Sequence, residues 1–346
     1  MKYQTTRYGE IPFYKIGTFG NTADAFISKK LFLEYKTKYS FPKKGDILIS
    51  ASGTIGRAVI YDGKPAYFQD SNIVWIDNDE TLVKNDFLFY AYSNVKWNTE
   101  HTTILRLYND NFRNTLIPLP PLNEQNAIAN ILSGLDRYLC ALDALILKKE
   151  GVKKALSFEL LSQRKRLKGF NQAWQRVRLG DIANYLTSNL SVEQITQQGK
   201  IKVYDANNFI GYTDTTFISD KPYISIIKDG SVGRVRILPP KTNILSTMGA
   251  LIANHRTTTE FLFYLLSNFD FKNFTSGSII PHIYFKDYKE KTIFLPSLNE
   301  QIAIANILSA LDKEIASLKN KKRQFENIKK ALNHDLMSAK IRVLKK

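Results

Sequence analysis

A fourteen-residue segment that recurs almost unchanged after 176 residues constrains this chain more than any other feature. Leu122-Asn-Glu-Gln-Asn-Ala-Ile-Ala-Asn-Ile-Leu-Ser-Gly-Leu135 returns as Leu298-Asn-Glu-Gln-Ile-Ala-Ile-Ala-Asn-Ile-Leu-Ser-Ala-Leu311, and only Asn126/Ile302 and Gly134/Ala310 differ. The match fades further on but continues, with Ala155-Leu156 answered by Ala331-Leu332. The chain is a tandem duplication. Its unit is too long for a solenoid repeat and suits a domain plus a helix.

Each copy reads as a long helix. Pro120 and Pro121, and Pro296 in the second copy, cannot continue a preceding helix, and Asn123 and Asn299 are predicted as N-caps. Glu124 and Glu300 follow in the first turn, where the helix dipole favours a carboxylate. Apolar residues then alternate at spacings of four and three: Ile128, Leu132, Leu135, Leu139, Leu142 and Ile146 in the first copy. Ile304, Leu308, Leu311, Ile315 and Leu318 repeat the pattern in the second. Such a seam buries itself against one partner helix, and each copy supplies the other with a partner of equal length. Lys149 and Lys153 interrupt the first seam and Lys322 and Lys329 the second, so the packing is expected to loosen there. About 40 residues make a rod of roughly 60 Å.

The segments ahead of the helices, 1–116 and 170–293, are rich in aromatic and β-branched residues broken by turn signals such as Asp62-Gly63 and Lys228-Asp229-Gly230. Strands are predicted at Ile47–Ser50, Ala58–Tyr61, Ile73–Ile76, Ile224–Ile227 and Val235–Leu238, with one helix in each segment, Phe87–Ser93 and Glu260–Asn268. These segments correspond weakly, through Gly9–Tyr14 with Gly199–Tyr204, Gly53–Arg57 with Gly230–Arg234, and Asn111–Pro120 with Asp287–Pro296. The fold class is α+β: two mixed, β-rich domains at 1–116 and 170–293, and two long helical spacers at 117–169 and 294–346. A duplication whose helices stay fixed while its globular parts drift suggests constant scaffolding with variable recognition.

Composition narrows the partner. With 44% hydrophobic and 23% charged residues the chain can bury a core, which excludes wholesale disorder. Forty-nine Lys and Arg against thirty-two Asp and Glu leave a net charge of +17, pointing to nucleic acid or an anionic membrane surface. The excess is spread over all four segments, at three, four, four and six charges in chain order, which fits a long phosphate track better than a point ligand. No apolar run approaches the roughly 18 residues of a bilayer span, and the N-terminus has no signal-peptide pattern. Cys140 stands alone, so no internal disulfide can form. The expectation is a soluble, cytoplasmic protein that does not engage membrane.

Catalytic patterns are missing. There is no phosphate-cradling glycine loop followed by lysine, no dinucleotide-binding fingerprint, no nucleophile elbow and no amino-methyltransferase motif. His101, His255, His282 and His334 lie in unrelated contexts, and a Cys/His metal site is excluded. A binding module is favoured over an enzyme. Two Gly-x-x-Gly-Arg segments could bring backbone together with Arg57 or Arg234 against a phosphate or a guanine, although tight turns with an exposed arginine explain them equally well. Arg106, Tyr108 and Asn109, with counterparts Ser278, His282 and Lys286, are donors able to read base edges or hold phosphates, or else an irregular loop before the last strand. Asn207, Asn208, His255 and Arg256 are further candidates.

With the duplicated helix start Ile117–Gln125 and Ile293–Gln301, the Gly-Thr-Ile-Gly-Arg turn, the Arg178-Leu-Gly-Asp-Ile182 opening of the second domain and Gly277-Ser278…Pro281, the chain resembles the specificity (S) subunit of type I restriction–modification systems over nearly its whole length. The resemblance implies two target-recognition domains, one per half of a split double-stranded DNA site, held apart by conserved helices packed as an antiparallel coiled coil about a pseudo-two-fold axis. It implies a subunit that is not catalytic and binds no cofactor itself. Two methyltransferase (M) subunits would carry S-adenosylmethionine, and restriction (R) subunits would use ATP and Mg. Asn123, Asn299 and the outward faces of both rods would lie near the methyltransferases. One departure stands out: about 25 residues, Trp174–Gln198, precede Gly199, but only eight precede Gly9, so the first domain is expected to lack its opening strand. The competing reading is a coiled-coil scaffold whose basic faces dock acidic partners without reading sequence.

Overall fold

The computed structural model describes residues 4–69, 72–97 and 106–344. It divides into two units, Met1–Asp143 with Asn320–Lys346, and Ala144–Lys319. His101 lies outside the described residues.

In the first unit the strands are β1 (Ile11–Tyr14), β2 (Ala25–Ile27), β3 (Ile47–Ser50), β4 (Ala58–Ile60), β5 (Tyr67–Phe68) and β6 (Ile73–Trp75). They form two three-stranded sheets, β2-β1-β5 and β4-β3-β6. Helices α1 (Lys29–Lys38), α2 (Asn85–Tyr92) and α3 (Asn109–Arg113) precede the long α4 (Leu122–Leu161). The second unit has β7 (Gln175–Arg178), β8 (Ala183–Thr187), β9 (Ile201–Tyr204), β10 (Phe209–Thr213), β11 (Tyr223–Ile227), β12 (Val235–Leu238), β13 (Thr242–Ile244) and β14 (Met248–Ala253). Then come α5 (Thr259–Ser267), β15 (Thr275–Ser276), β16 (His282–Ile283), α6 (Phe285–Tyr288), β17 (Thr292–Leu295) and the long α7 (Leu298–Met337).

Drifted sequence hides a shared topology. In each unit one small sheet has an antiparallel and a parallel neighbour around its middle strand, β2-β1-β5 and β10-β9-β13. In each, a second sheet is wholly antiparallel, β4-β3-β6 and β12-β11-β14, the latter extended by β8. A short apolar run between turn signals suffices for β3 and β11, whose residues are all buried. The expectation of one helix per segment fails. α1 buries only Phe32, so it has no apolar stripe to detect, and Ser28 Oγ starts it by accepting from Leu31 N at 3.2 Å. The short α3 and α6 are likewise additional.

The second unit also pairs β17 with β7, burying Ile293 and Leu295. The matching residues of the first unit, Leu116–Leu119, form no strand pair among the described residues, and Leu116 is 94% exposed.

Both long helices run 40 residues and are divided between the units. In the first unit Ile128 and Leu132 pack with Phe87, Tyr90, Leu336 and Met337. In the second, Ile304, Ala305 and Leu308 pack with Leu160, Phe261 and Tyr264. Leu142, Ile146 and Ile315 are buried, while Leu135, Leu139, Leu311 and Leu318 are half-buried. Within each unit the contacts climb one helical segment as they descend the other. Glu124, Asp136, Tyr138 and Asp143 meet Arg342, Lys329, Phe325 and Lys322. Lys149, Lys153 and Arg166 meet Glu314, Asp312 and Glu300.

These pairs correct one expectation. The lysines interrupting the seams do not loosen it, because Lys149, Lys153, Lys322 and Lys329 each reach a carboxylate on the facing helix. Their stems cover apolar surface while their ammonium groups are neutralised. The exchange recurs at the repeat offset: Lys153 pairs with Asp312, and Lys329 with Asp136. Each carboxylate also accepts from a tyrosine at 2.7–2.8 Å, Tyr264 to Asp312 and Tyr90 to Asp136. Burial, with the adjacent carboxylate, holds both phenols well above their ordinary range.

The N-cap expectation fails too. The helices begin at Leu122 and Leu298, placing Asn123 and Asn299 inside the first turn. The buried residues after them do the fastening. Glu124 accepts a bidentate pair from Arg342, at 2.8 Å from Nε and 2.6 Å from Nη2. Glu300 accepts the same from Arg166 and a further bond from Trp174 Nε1 at 3.0 Å. The Arg342 guanidinium holds the Glu124 carboxyl below its ordinary value. A lowered folded-state value stabilises above the ordinary carboxylate range and is lost as pH falls through that lowered value. Arg342→Gln is therefore expected to destabilise the first unit most at neutral pH. In chemical denaturation across a pH series the gap to the parent chain should close below about pH 4.

Candidate nucleic-acid interface

Two glycines with positive φ shape the same turn in each unit. Gly53 and Gly56 lie at φ +68° and +80°, and Gly230 and Gly233 at +84° and +81°, a region glycine enters without the Cβ penalty. The backbone bonds match: Gly56 N donates to Ser50 O and Ile55 N to Gly53 O, as Gly233 N does to Ile227 O and Val232 N to Gly230 O. A Cβ on Gly56 would collide with the Trp97 indole, and one on Gly233 would sit 2.7 Å from Phe271 Cδ2. Gly233→Ala is thus expected to cost about 3 kcal/mol, joining left-handed strain to overpacking. Gly230, with open space around it, should cost about 1 kcal/mol on the same change. Paired urea titrations check the difference.

Each turn is tied to the segment nominated beside it. Ser52 bridges Arg106 in the first unit, and Asp229 bridges His282 in the second; each of Ser52 and Asp229 directly precedes the first glycine of its turn. Leu107 and Ile283, next in line, are buried, which turns the following tyrosines outward: Tyr108 is 43% and Tyr284 48% exposed.

The second unit holds most of the nominated side chains at one edge, with the 229–234 turn as hub. His282 Nδ1 lies 2.6 Å from Asp229 Oδ1, and Gly230 N donates to Pro281 O at 2.9 Å. Arg234 Nη2 donates to Asn207 Oδ1 at 3.0 Å. Asp205 Oδ1 accepts from the backbone N of both Asn207 and Asn208, which braces the loop from within. Arg236, missed from sequence, donates to Asn207 O and lies over the Tyr204 ring. Lys286 lies over Tyr284, which stacks on His282. Ser278 is exposed on the β15–β16 loop. The edge thus offers arginine, lysine, imidazole and amide donors among accessible aromatic rings, the inventory for phosphates and base edges.

In the first unit Arg57 Nη1 donates to Phe19 O at 2.9 Å, committing part of its guanidinium to the fold. Arg106 and Asn109 are exposed. Tyr108 N donates to Asn111 Oδ1 at 2.6 Å, starting α3.

His255 and Arg256 fall elsewhere. They precede α5, where Arg256 O accepts from Gln301 Nε2 at the start of α7 and the Arg256 guanidinium faces Gln175. The Glu-Gln pair that heads both helices was visible as an identity between repeats, but its partners are arginine side chains for the Glu and mostly backbone groups for the Gln, distant residues that no pattern marks. Among the described residues no group of three His, Cys, Asp or Glu could hold a metal, and no helix is long and apolar enough to cross a membrane.

Comparison with known proteins bears on this geometry. A family model described as "Type I restriction modification DNA specificity domain" matches residues 1–149 and 171–327. A putative type I restriction enzyme specificity subunit of Haemophilus influenzae is 65% identical over 133 residues, 38% of this chain and 34% of that protein. The match thus spans about a third of that relative's length. A putative type I restriction enzyme specificity subunit of Methanocaldococcus jannaschii is 28% identical over 339 residues, covering 86% of this chain and 79% of that one. The crystal structure of a type I restriction-modification S subunit from M. genitalium superposes with a TM-score of 0.64 at 21% identity, over 97% of this chain and 91% of that chain, a likeness of fold.

Proposed function

Because this chain belongs to the type I restriction modification DNA specificity family, we propose that it is the sequence-reading subunit of a type I restriction–modification complex and performs no catalysis of its own. One observation carries the reading. Two globular parts that have drifted apart keep the same bridged glycine–arginine turn, each beside a near-identical helix. Selection for different base sequences through a common frame produces that contrast.

In this reading residues 1–116 and 170–293 each bind one half of a split site in double-stranded DNA. Residues 117–169 and 294–346 form an antiparallel coiled coil that sets the gap, arranged about a pseudo-two-fold axis. The recurrence of ion pairs at the repeat offset supports that symmetry. Such an axis suits two methyltransferase subunits, one per half-site, with restriction subunits added to them. S-adenosylmethionine, ATP and Mg then belong to those partners, and the complex works in the cytoplasm. Arg57, Arg106, Tyr108 and Asn109 are the proposed contacts of the first half; Asn207, Asn208, Arg234, Ser278, His282 and Lys286 are those of the second.

Methylated adenines mapped in host DNA with and without the gene test this directly: a two-part motif present only with the gene is expected. A gel-shift with random duplex over a salt series should show affinity falling steeply with salt. Failure to bind at low salt with the methyltransferase subunit present would favour the scaffold reading. Arg234→Ala and Arg106→Ala should each weaken one half-site by about 10-fold, on the 1–3 kcal/mol scale of a base contact. Uniform loss over unrelated sequences would reassign either arginine to phosphate.

A further inference from the structure

The β15–β16 hairpin ends in two apolar side chains that the fold does not use. Ile279 is 92% and Ile280 55% exposed, on the five-residue connection Gly277-Ser278-Ile279-Ile280-Pro281. Scattered exposed apolar residues are ordinary, but this pair is presented by a braced ribbon. Thr275 pairs with Ile283 and Ser276 with His282. Gly277 takes φ +91°, where a Cβ would collide with Ile280 O. Pro281 O and Ile283 N are both bonded to the neighbouring turn, through Gly230 N and Lys228 O. Ile283 itself is buried and anchors the ribbon.

On the same edge the accessible donors are Arg234, His282 and Lys286 with Asn207, and the Asp229 carboxylate beside them is engaged by His282. A two-stranded ribbon fits the major groove, and the one apolar feature any base pair displays there is the thymine 5-methyl group. We propose that Ile279 is a specificity-determining residue that contacts a thymine methyl in the half-site read by the second unit. This rests on the DNA-reading function proposed above and adds a base identity to it. The polar donors alone would leave a thymine position to its O4 acceptor. An apolar side chain held beside them selects the methyl as well.

Selection of bound duplexes from a pool with a randomised stretch, using the full chain with the methyltransferase subunit present, supplies the probe. The selected duplex is then rebuilt with deoxyuridine replacing each thymine in turn, which removes only the methyl. The parent chain should lose on the order of fourfold in affinity at one thymine, the scale of one buried carbon. Ile279→Ala should lose a similar factor on the thymine duplex and become indifferent to deoxyuridine at that position, the coupling a double-mutant cycle reads. Since Ile279 is almost fully exposed, an unchanged denaturation midpoint is expected and confirms that the variant folds. A selected half-site without thymine, deoxyuridine neutral at every position, or an Ile279→Ala chain that keeps the parent's sensitivity overturns the inference while leaving sequence reading intact. A pool that enriches no sequence overturns both.

Discussion

Gln301→Ala is expected to destabilise the second unit by about 4 kcal/mol. The side chain is fully buried and makes four bonds at once. Its Nε2 donates to Arg256 O and Pro296 O, both at 3.0 Å. Its Oε1 accepts from Thr257 Oγ1 at 2.9 Å and Thr258 N at 3.1 Å. Truncation strands these groups away from water, at about 1–3 kcal/mol each, with partial relaxation holding the total below the sum. Gln125 does the same work in the first unit with three bonds, from Nε2 to Leu82 O and Pro120 O and to Oε1 from Lys84 N, because Val83 stands where the second unit has Thr257. Gln125→Ala should therefore cost less. Guanidinium denaturation of both variants checks the order, and a cost below about 1 kcal/mol at Gln301 would refute the clamp.

The second large effect concerns the proposed spacing of the two half-sites. Deleting residues 140–146 together with 319–325 removes one heptad from each long helix while keeping the remaining pairs in register, since the contacts of each unit climb one segment as they descend the other. Seven residues of helix are about 10 Å, close to three base pairs of duplex. The methylated motif should keep both half-sites and lose about three base pairs from the gap between them. A change in the half-sites themselves, or an unchanged gap, would show that the helices do not set the distance. The deletion leaves Glu124–Arg342 and Glu300–Arg166 in place, so each helix start remains fastened.

The long helices were legible because their signal is local and repeated: a seam at spacings of four and three, twice over, reports its own burial. β3, β11 and β12 were legible for a related reason, since short apolar runs between turn signals have few alternatives. α1 was not, because a helix with one buried residue leaves no periodic trace. The seam lysines were misread because a charge in an apolar row looks like a defect until the facing carboxylate is known. The candidate interface divides in the same way. The glycine–arginine turns stand out by composition and spacing. That Arg234 would meet Asn207, that Asp229 would hold His282, and that the Arg256 carbonyl would meet the start of α7 depend on contacts across 27, 53 and 45 residues.

By itself the sequence determined that this protein is a duplication with two long helices, two divergent segments of mixed structure and a net positive charge, because repeats, heptads and charge are written in residue order. Only the tertiary structure decided which buried Glu and Gln clamp which helix start, which lysines are neutralised, and which exposed donors share an edge. Those outcomes depend on distances between residues far apart in the chain, and side-chain chemistry alone does not specify a distant partner until folding brings one within bonding reach.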